Sequence, residues 1–178
     1  MQGTRSNRRI KNIIIYLLVF VALIALDQFT KYYFKNKYLE DGVTTVINNF
    51  FYFTYTENTG SAFSFLAGKS WAQTFFKILT VIALIIFVIL TIYFVKKEKR
   101  WLSVSMIIST AGTVGNFIDR LALNYVRDFI SFVFGTFKFA IFNVADICLV
   151  VGVVMIVYYI LFLDKDAVFK KNNGKKDV

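Results

Sequence analysis

The sequence predicts an all-α membrane protein: four transmembrane helices, with a small β-rich, aromatic extracytoplasmic segment between the first and second. Three observations predict it. Hydrophobic residues make up 57% of the chain and its mean hydropathy is +0.60, whereas soluble domains hold about 45–50% apolar residues. The apolar residues fall into four runs, each long enough to cross roughly 30 Å of hydrocarbon. The basic residues of a chain with net charge +10 gather beside those runs. That is the positive-inside pattern of a membrane protein and not a nucleic-acid patch, so no nucleic-acid partner is expected. The 178 residues make one integral membrane domain, 1–178.

The first eleven residues, MQGTRSNRRIK, are polar and basic and read as a disordered cytoplasmic segment. The first helix follows, at about 12–34. It is not a cleaved signal peptide, because no small-residue cleavage site follows the apolar run Ile13 to Leu26. Asp27 and Lys31 stand near its outer end, four residues apart on one face, where their charges can pair. Residues 36–70 form the longest non-spanning segment. Within it VTTVINNFFYFTYT (43–56) is rich in β-branched and aromatic residues around an Asn-Asn pair, which predicts a twisted hairpin at the membrane surface. A turn-like run, Glu57-Asn58-Thr59-Gly60-Ser61-Ala62-Phe63, comes next. The second helix is expected at about 71–95 and ends in the basic loop KKEKR. The third, at about 101–123, carries the small-residue run STAGTVGN, which permits close helix approach. A short apolar and aromatic link leads to the fourth, at about 142–163, and a basic tail closes the chain.

Counting Lys and Arg decides the expected topology. With both termini and the 96–100 loop inside, thirteen lie on the inner side and eight on the outer, so both termini are expected in the cytoplasm. The acids Asp27, Glu40, Asp41, Glu57, Asp119, Asp128 and Asp146 then all fall in or near the outer half. Charge at such depth costs a few kcal/mol per residue on insertion scales, and ionisable residues there call for a functional reading.

The residues that are missing narrow the chemistry. There is no histidine, which excludes a Ser-His-Asp triad, a Cys-His pair and a histidine zinc site. Cys148 is the one cysteine and reads as a small apolar residue within a helix. No metal or other cofactor is expected. A Ser-Lys dyad, Ser61 or Ser64 with Lys69 or Ser131 with Lys138, has no helix to shield its lysine. Carboxylates remain. Asp128, after the third helix, and Asp146, one turn into the fourth, can meet below the outer surface. Two close carboxylates share a proton, leaving one as base on water and the other as acid. Alternatively each pairs with Arg120, Arg127 or Lys138 to orient the loop. Asn116 and Arg120 share a helical face, with Asp119 turned about 100° from Arg120; the set reads as support for a site. Asn58, Gly60 and Asn143 add amides and a turn able to orient carboxylates or grip a peptide. Two rivals stay open: a small transporter whose acids bind cations, and an enzyme that pairs Asp119 with Asp146.

Five pieces in order resemble a known family. They are Asp27-x-x-x-Lys31, Asn58-Thr59-Gly60-x-Ala62-Phe63, Gly115-Asn116-x-x-Asp119-Arg120, Val126-x-Asp128-Phe129 and Phe142-Asn143-x-Ala145-Asp146. Together they resemble lipoprotein signal peptidase (signal peptidase II) over nearly the whole chain. The resemblance implies an aspartic endopeptidase of the bacterial cytoplasmic membrane that needs no cofactor. It implies cleavage of diacylglyceryl-modified prolipoproteins just before the lipidated cysteine, amid membrane lipids and with sensitivity to globomycin-type inhibitors. By position Asp128 and Asp146 match the catalytic pair. Asp27, Lys31, Asn58, Gly60, Asn116, Asp119, Arg120, Asn143 and Ala145 fall in the surrounding motifs, as substrate-binding or supporting positions. The chain departs from the family pattern twice. Ala111-Gly112 stands where Gly-Gly is usual, and Asn124 where a glycine commonly precedes the V-x-D piece; Asn tolerates φ > 0, so that turn is expected to survive.

Overall fold

A computed structural model describes residues 2–38, 42–60, 69 and 71–164, with side chains from Asn7 onward. Ser61, Ala62, Phe63 and Ser64, the acids Glu40 and Asp41, and the basic tail lie outside the described residues. Four helices cross the bundle: α1 (Gln2–Tyr38), α2 (Ala72–Lys96), α3 (Arg100–Leu123) and α4 (Val144–Tyr158), the last continuing as a π-helical turn to Leu163. All four are long and apolar enough to span a membrane. Four strands build one antiparallel sheet at one end, in the order β1 (Thr44–Ile47), β2 (Phe51–Asn58), β3 (Val126–Phe134) and β4 (Phe137–Lys138).

Helix α3 is the axis of the bundle. Its mean hydropathy, 1.3, is the lowest of the four spans, against 3.1 for α2. It is nevertheless the helix whose face is buried in protein, packed against α1, α2 and α4. Ser103, Ser105, Ser109, Thr110 and Thr113 are therefore buried within the bundle. The hydroxyls of Ser105, Thr110 and Thr113 each donate to the carbonyl one turn back, which satisfies them internally. Glycines set the close approach of α3 to its neighbours. A Cβ at Gly112 would strike the Ala145 carbonyl oxygen, and one at Gly115 would lie 2.5 Å from Asp27 Oδ2. Of the Ala111-Gly112 pair, the crowded position is the one that kept its glycine.

The hairpin expected over 43–56 is present, with Asn49 at φ 56 in its turn. Two expectations need correction. The link between α3 and α4 is not merely a connector. Val126-Arg-Asp-Phe-Ile-Ser-Phe-Val-Phe134 is the strand β3, paired with β2 in a register that sets Thr56 opposite Asp128 and Asn58 opposite Val126. Its β-branched and aromatic residues suit a half-buried pleat. The polar N-terminus is not an irregular segment either: α1 begins at Gln2, since Arg, Lys and Gln favour helix and no proline interrupts it. The helix also runs on to Tyr38, where Phe34 stacks on Phe129 of β3 with ring centroids 4.3 Å apart and joins helix to sheet.

Asn124 ends α3 at φ 63, ψ 17. An asparagine there keeps the left-handed turn a glycine would make, and adds a contact: Lys77 of α2 donates to its Oδ1 at 2.7 Å. The turn carries the chain directly into β3. From the other side, Ile130 and Phe142 bridge, so the residue after Phe142, Asn143, arrives beside Asp128.

Candidate active site

The start of α4 organises the polar cluster. Asn143 is its N-cap, and its side-chain oxygen accepts from the Asp146 N–H at 3.0 Å. In return Asp146 Oδ2 accepts from the Asn143 N–H at 3.1 Å. This capping box holds the Asp146 side chain in the first turn, where the helix dipole favours negative charge. The Asn143 amide nitrogen is then free to point across the gap. It donates to Asp128 Oδ1 at 2.7 Å and Asn116 Oδ1 at 3.0 Å. One residue thus ties the first turn of α4 to β3 and α3.

Each oxygen of Asp128 and Asp146 accepts from an amide. Asp128 takes Asn143 on one oxygen and Asn58 on the other, at 2.9 Å. Asp146 takes Asn116 at 2.7 Å and the Asn143 backbone. Neither acid has an ion pair within 4.0 Å among the described residues. The alternative in which Arg127 or Lys138 pairs with one of them does not occur. Burial pushes the Asp128 carboxyl up to about 7, and the nearby Asp146 charge raises it further than the Asn58 and Asn143 hydrogen bonds can offset. Asp128 is 2% exposed. Gly60 donates its N–H to Asn58 Oδ1 at 2.9 Å, which turns the Asn58 amide nitrogen toward Asp128.

The other acids are paired. Lys31, fully buried, lies 2.8 Å from Asp27 Oδ2, as its four-residue spacing predicts, and 3.5 Å from Asp119 Oδ2. It donates to Asn116 Oδ1 at 2.9 Å. That oxygen accepts from both Lys31 and Asn143, so the Asn116 amide nitrogen must face Asp146. Asp27 also accepts from the Ala145 N–H at 2.9 Å, a second carboxylate on the α4 N-terminus. Asp119 is held not by its neighbour Arg120 but by Arg127, whose Nη2 sits 2.5 Å from Oδ1 while its backbone N–H reaches Oδ2 at 3.0 Å. Asp119 thereby has its charge answered, unlike Asp128 and Asp146.

Arg120 takes a separate position. Its guanidinium lies over the Phe76 ring at 5.5 Å, within electrostatic reach of Asp146, Asp128 and Asp119. Its buried Nε has no hydrogen-bond partner among the described residues. Four carboxyls, Asp27, Asp119, Asp128 and Asp146, therefore face three cations, Lys31, Arg120 and Arg127. The cluster is electrically neutral when it holds one proton.

The cluster unites Asp27, Lys31, Asn58, Gly60, Asn116, Asp119, Arg120, Asp128, Asn143, Ala145 and Asp146 from α1, β2, α3, β3 and α4. Sequence reasoning missed two members. Gln28 donates to Asp27 and to the Gly115 carbonyl, and accepts from Arg127 at 2.8 Å. Arg127 was considered only as an alternative partner of Asp128 or Asp146, because the fold-back at Asn124 that brings it to Asp119 is a tertiary event. The polar Gln28 beside Asp27, inside an apolar run, was the available signal for the first. No group of three or more acidic or cysteine side chains suited to a metal occurs among the described residues.

Comparisons with known proteins agree in kind. A family model described as signal peptidase (SPase) II matches residues 19–162. The lipoprotein signal peptidase of Listeria welshimeri is 41% identical over 151 residues, 84% of this chain and 95% of the relative. That of Enterococcus faecalis is 40% identical over 162 residues, 91% and 96% of the two chains. A solved bacterial membrane enzyme, determined by the in meso method at 2.3 Å resolution, superposes with TM-score 0.74 at 35% identity, covering 93% of this chain and 95% of that one.

Proposed function

The chain belongs to the signal peptidase II family, and on that premise we propose that this membrane peptidase cleaves diacylglyceryl-modified prolipoproteins just before the lipidated cysteine, with Asp128 and Asp146 activating water. The observation that carries the proposal is the pair itself. Two carboxyls from β3 and α4 are joined through Asn143, satisfied by amides, and left without an ion-pair partner while the other two acids of the cluster are paired. A transporter reading lacks a comparable observation. Pairing Asp119 with Asp146 would require Asp119 to leave Arg127.

In this reading Asp146 is the base. It sits at the positive end of α4, which stabilises its anion, and it takes a proton from water as the water attacks the scissile carbonyl. Asp128, whose proton is retained toward neutral pH, gives it to the developing oxyanion. As the tetrahedral diol collapses, Asp146 passes the proton it took from water to the leaving amine and Asp128 recovers its own from the diol hydroxyl. Neither step needs a metal or an organic cofactor. Arg120, with its unpartnered Nε, holds a carbonyl or phosphate oxygen of the substrate, and Asn58 and Asn116 keep the carboxyls oriented. Lys31, Asp27 and Asp119 form the charged floor beneath them.

Both termini and the 96–100 loop lie in the cytoplasm of a bacterial inner membrane, which places the sheet and the acids toward the outer leaflet. A diacylated cysteine partitions into that leaflet and a signal peptide is itself an apolar helix, so the scissile bond arrives at this depth. The aromatic 43–63 segment acts as a platform or lid over lipid and peptide, and globomycin-type inhibitors compete for the same cleft. Crosslinking that segment to a lipopeptide tests the lid; no substrate contact would remove it. The main test is incubation of purified protein with a diacylated prolipoprotein and mass analysis of the products. The expected new N-terminus is the lipidated cysteine. A cut elsewhere, or none in the presence of intact substrate, would refute the proposal.

A further inference from the structure

At the opposite end from the acid cluster, a cavity of about 320 Å³ opens between the start of α1 and the α2–α3 turn. Arg8 and Arg9 line it from α1, Arg100 from α3, and Glu98 from the turn. The four side chains leave a net charge of +2. An apolar cleft of about 270 Å³ shares three wall residues with it, Ile13, Tyr16 and Val95. The cleft continues along α1 past Leu17 and Phe20 and along α2 past Val88 and Ile92. Arg9, Ile13, Tyr16, Leu17 and Phe20 fall on one face of α1, so a single helical stripe passes from cation to hydrocarbon. The two threonines in the cleft, Thr91 and Thr110, donate their hydroxyls to carbonyls of their own helices, so beyond Tyr16, which stands where the cleft meets the basic cavity, the walls are apolar. α1 and α2 each pack on α3 yet scarcely touch one another, and the cleft is the gap between them.

We propose that this composite is a binding site for one anionic phospholipid, with its phosphate among Arg8, Arg9 and Arg100 and an acyl chain in the cleft between α1 and α2. Charge decides the class of occupant. A zwitterionic lipid would bring a second cation to a site already positive. The positively charged leading segment of a signal peptide would be repelled by the same arginines. Basic pockets between transmembrane helices recognise anionic headgroups in this way. The lipid fills the α1–α2 gap and fixes the spacing of two helices that scarcely touch one another. The site is remote from Asp128 and Asp146, and the proposal does not depend on their chemistry.

The experiment uses the whole protein in phosphatidylcholine nanodiscs, titrated with spin-labelled phosphatidylglycerol and read as the motionally restricted fraction. Each arginine near an anionic surface contributes about 1 kcal/mol, roughly fivefold in affinity. The combined R8Q, R9Q and R100Q variant is expected to lose on the order of a hundredfold. K96Q with K97Q removes two charges from the same loop outside the cavity and should change affinity less than the loss of two lining arginines does. Circular dichroism checks that the variants are folded, and these exposed substitutions leave the core intact. Equal weakening by the K96Q/K97Q pair would show diffuse surface attraction and overturn the site. So would equal restriction of labelled phosphatidylcholine, displacement by millimolar inorganic phosphate, or displacement by a basic signal-peptide segment. Because the readout is binding, it stands or falls separately from any peptidase assay.

Discussion

Replacing Asp128 by Asn should make the protein more stable above neutral pH while removing its activity. Burial, with the neighbouring Asp146 charge, holds the Asp128 carboxyl at about 7 against an ordinary value of 3.8. Between those two values the folded chain keeps a proton that the unfolded chain has released. Stability is therefore fully present below the lower value and falls as pH rises toward the upper, by at most about 1.4 kcal/mol per pH unit. The whole span gives an upper bound of about 4 kcal/mol at pH 8. Asparagine removes that charge but offers only one acceptor. Asn58 and Asn143 both donate to Asp128 now, and one of them loses its bond, a cost of about 1 kcal/mol. The expected result is a gain of about 2–3 kcal/mol at pH 8 that shrinks to zero or reverses near pH 5. Equilibrium unfolding in mixed micelles at the two pH values measures it. A variant destabilised equally at both would refute the argument that Asp128 is ionised there only at a cost.

Three further outcomes follow from the same geometry. Lys31→Met strands Asp27, leaves Asp119 with Arg127 alone, and releases the Asn116 carbonyl; breaking a buried pair this way costs about 3–5 kcal/mol, and a loss under about 1 kcal/mol in an unfolding titration would contradict it. Gly115→Ala sets a methyl 2.5 Å from Asp27 Oδ2, an overpacking cost of about 1–3 kcal/mol, with turnover falling as the α1–α3 contact opens; wild-type stability and turnover would show that the helices yield freely. Finally, kcat/KM should fall on the alkaline side with an apparent pKa near 7, as Asp128 gives up the proton it donates. The macroscopic value belongs to the pair, and a flat alkaline limb would remove Asp128 as the acid.

Local spacing made part of this structure legible, and tertiary pairing concealed the rest. Asp27 and Lys31 were readable as partners because four residues make one helical turn. Asn124 was readable as a left-handed residue because few others tolerate that turn, and the Asn-Asn pair marked the hairpin. The strand β3 was not readable. Between two membrane spans VRDFISFVF looks like a link, and what makes it a strand is β2, some seventy residues earlier in the sequence. The partner of Asp119 was hidden for the same reason: Arg120 is adjacent in sequence but points elsewhere on the helix, while Arg127 is brought back by the turn at Asn124. The N-terminal helix was missed because composition was read as disorder where propensity favours helix. The acids themselves were conspicuous throughout, since charge in an apolar chain needs a partner or a task.

The central claim is that Asp128 and Asp146 together perform the cleavage. Turnover of a diacylated prolipoprotein by the purified protein, compared among wild type, Asp128→Asn, Asp146→Asn and Asp119→Asn, tests it most directly. Removing either member of the pair should lower turnover by roughly 10²- to 10⁴-fold with the protein still folded. Full turnover in Asp128→Asn, together with none in Asp119→Asn, would move the chemistry to the other acid and contradict the account.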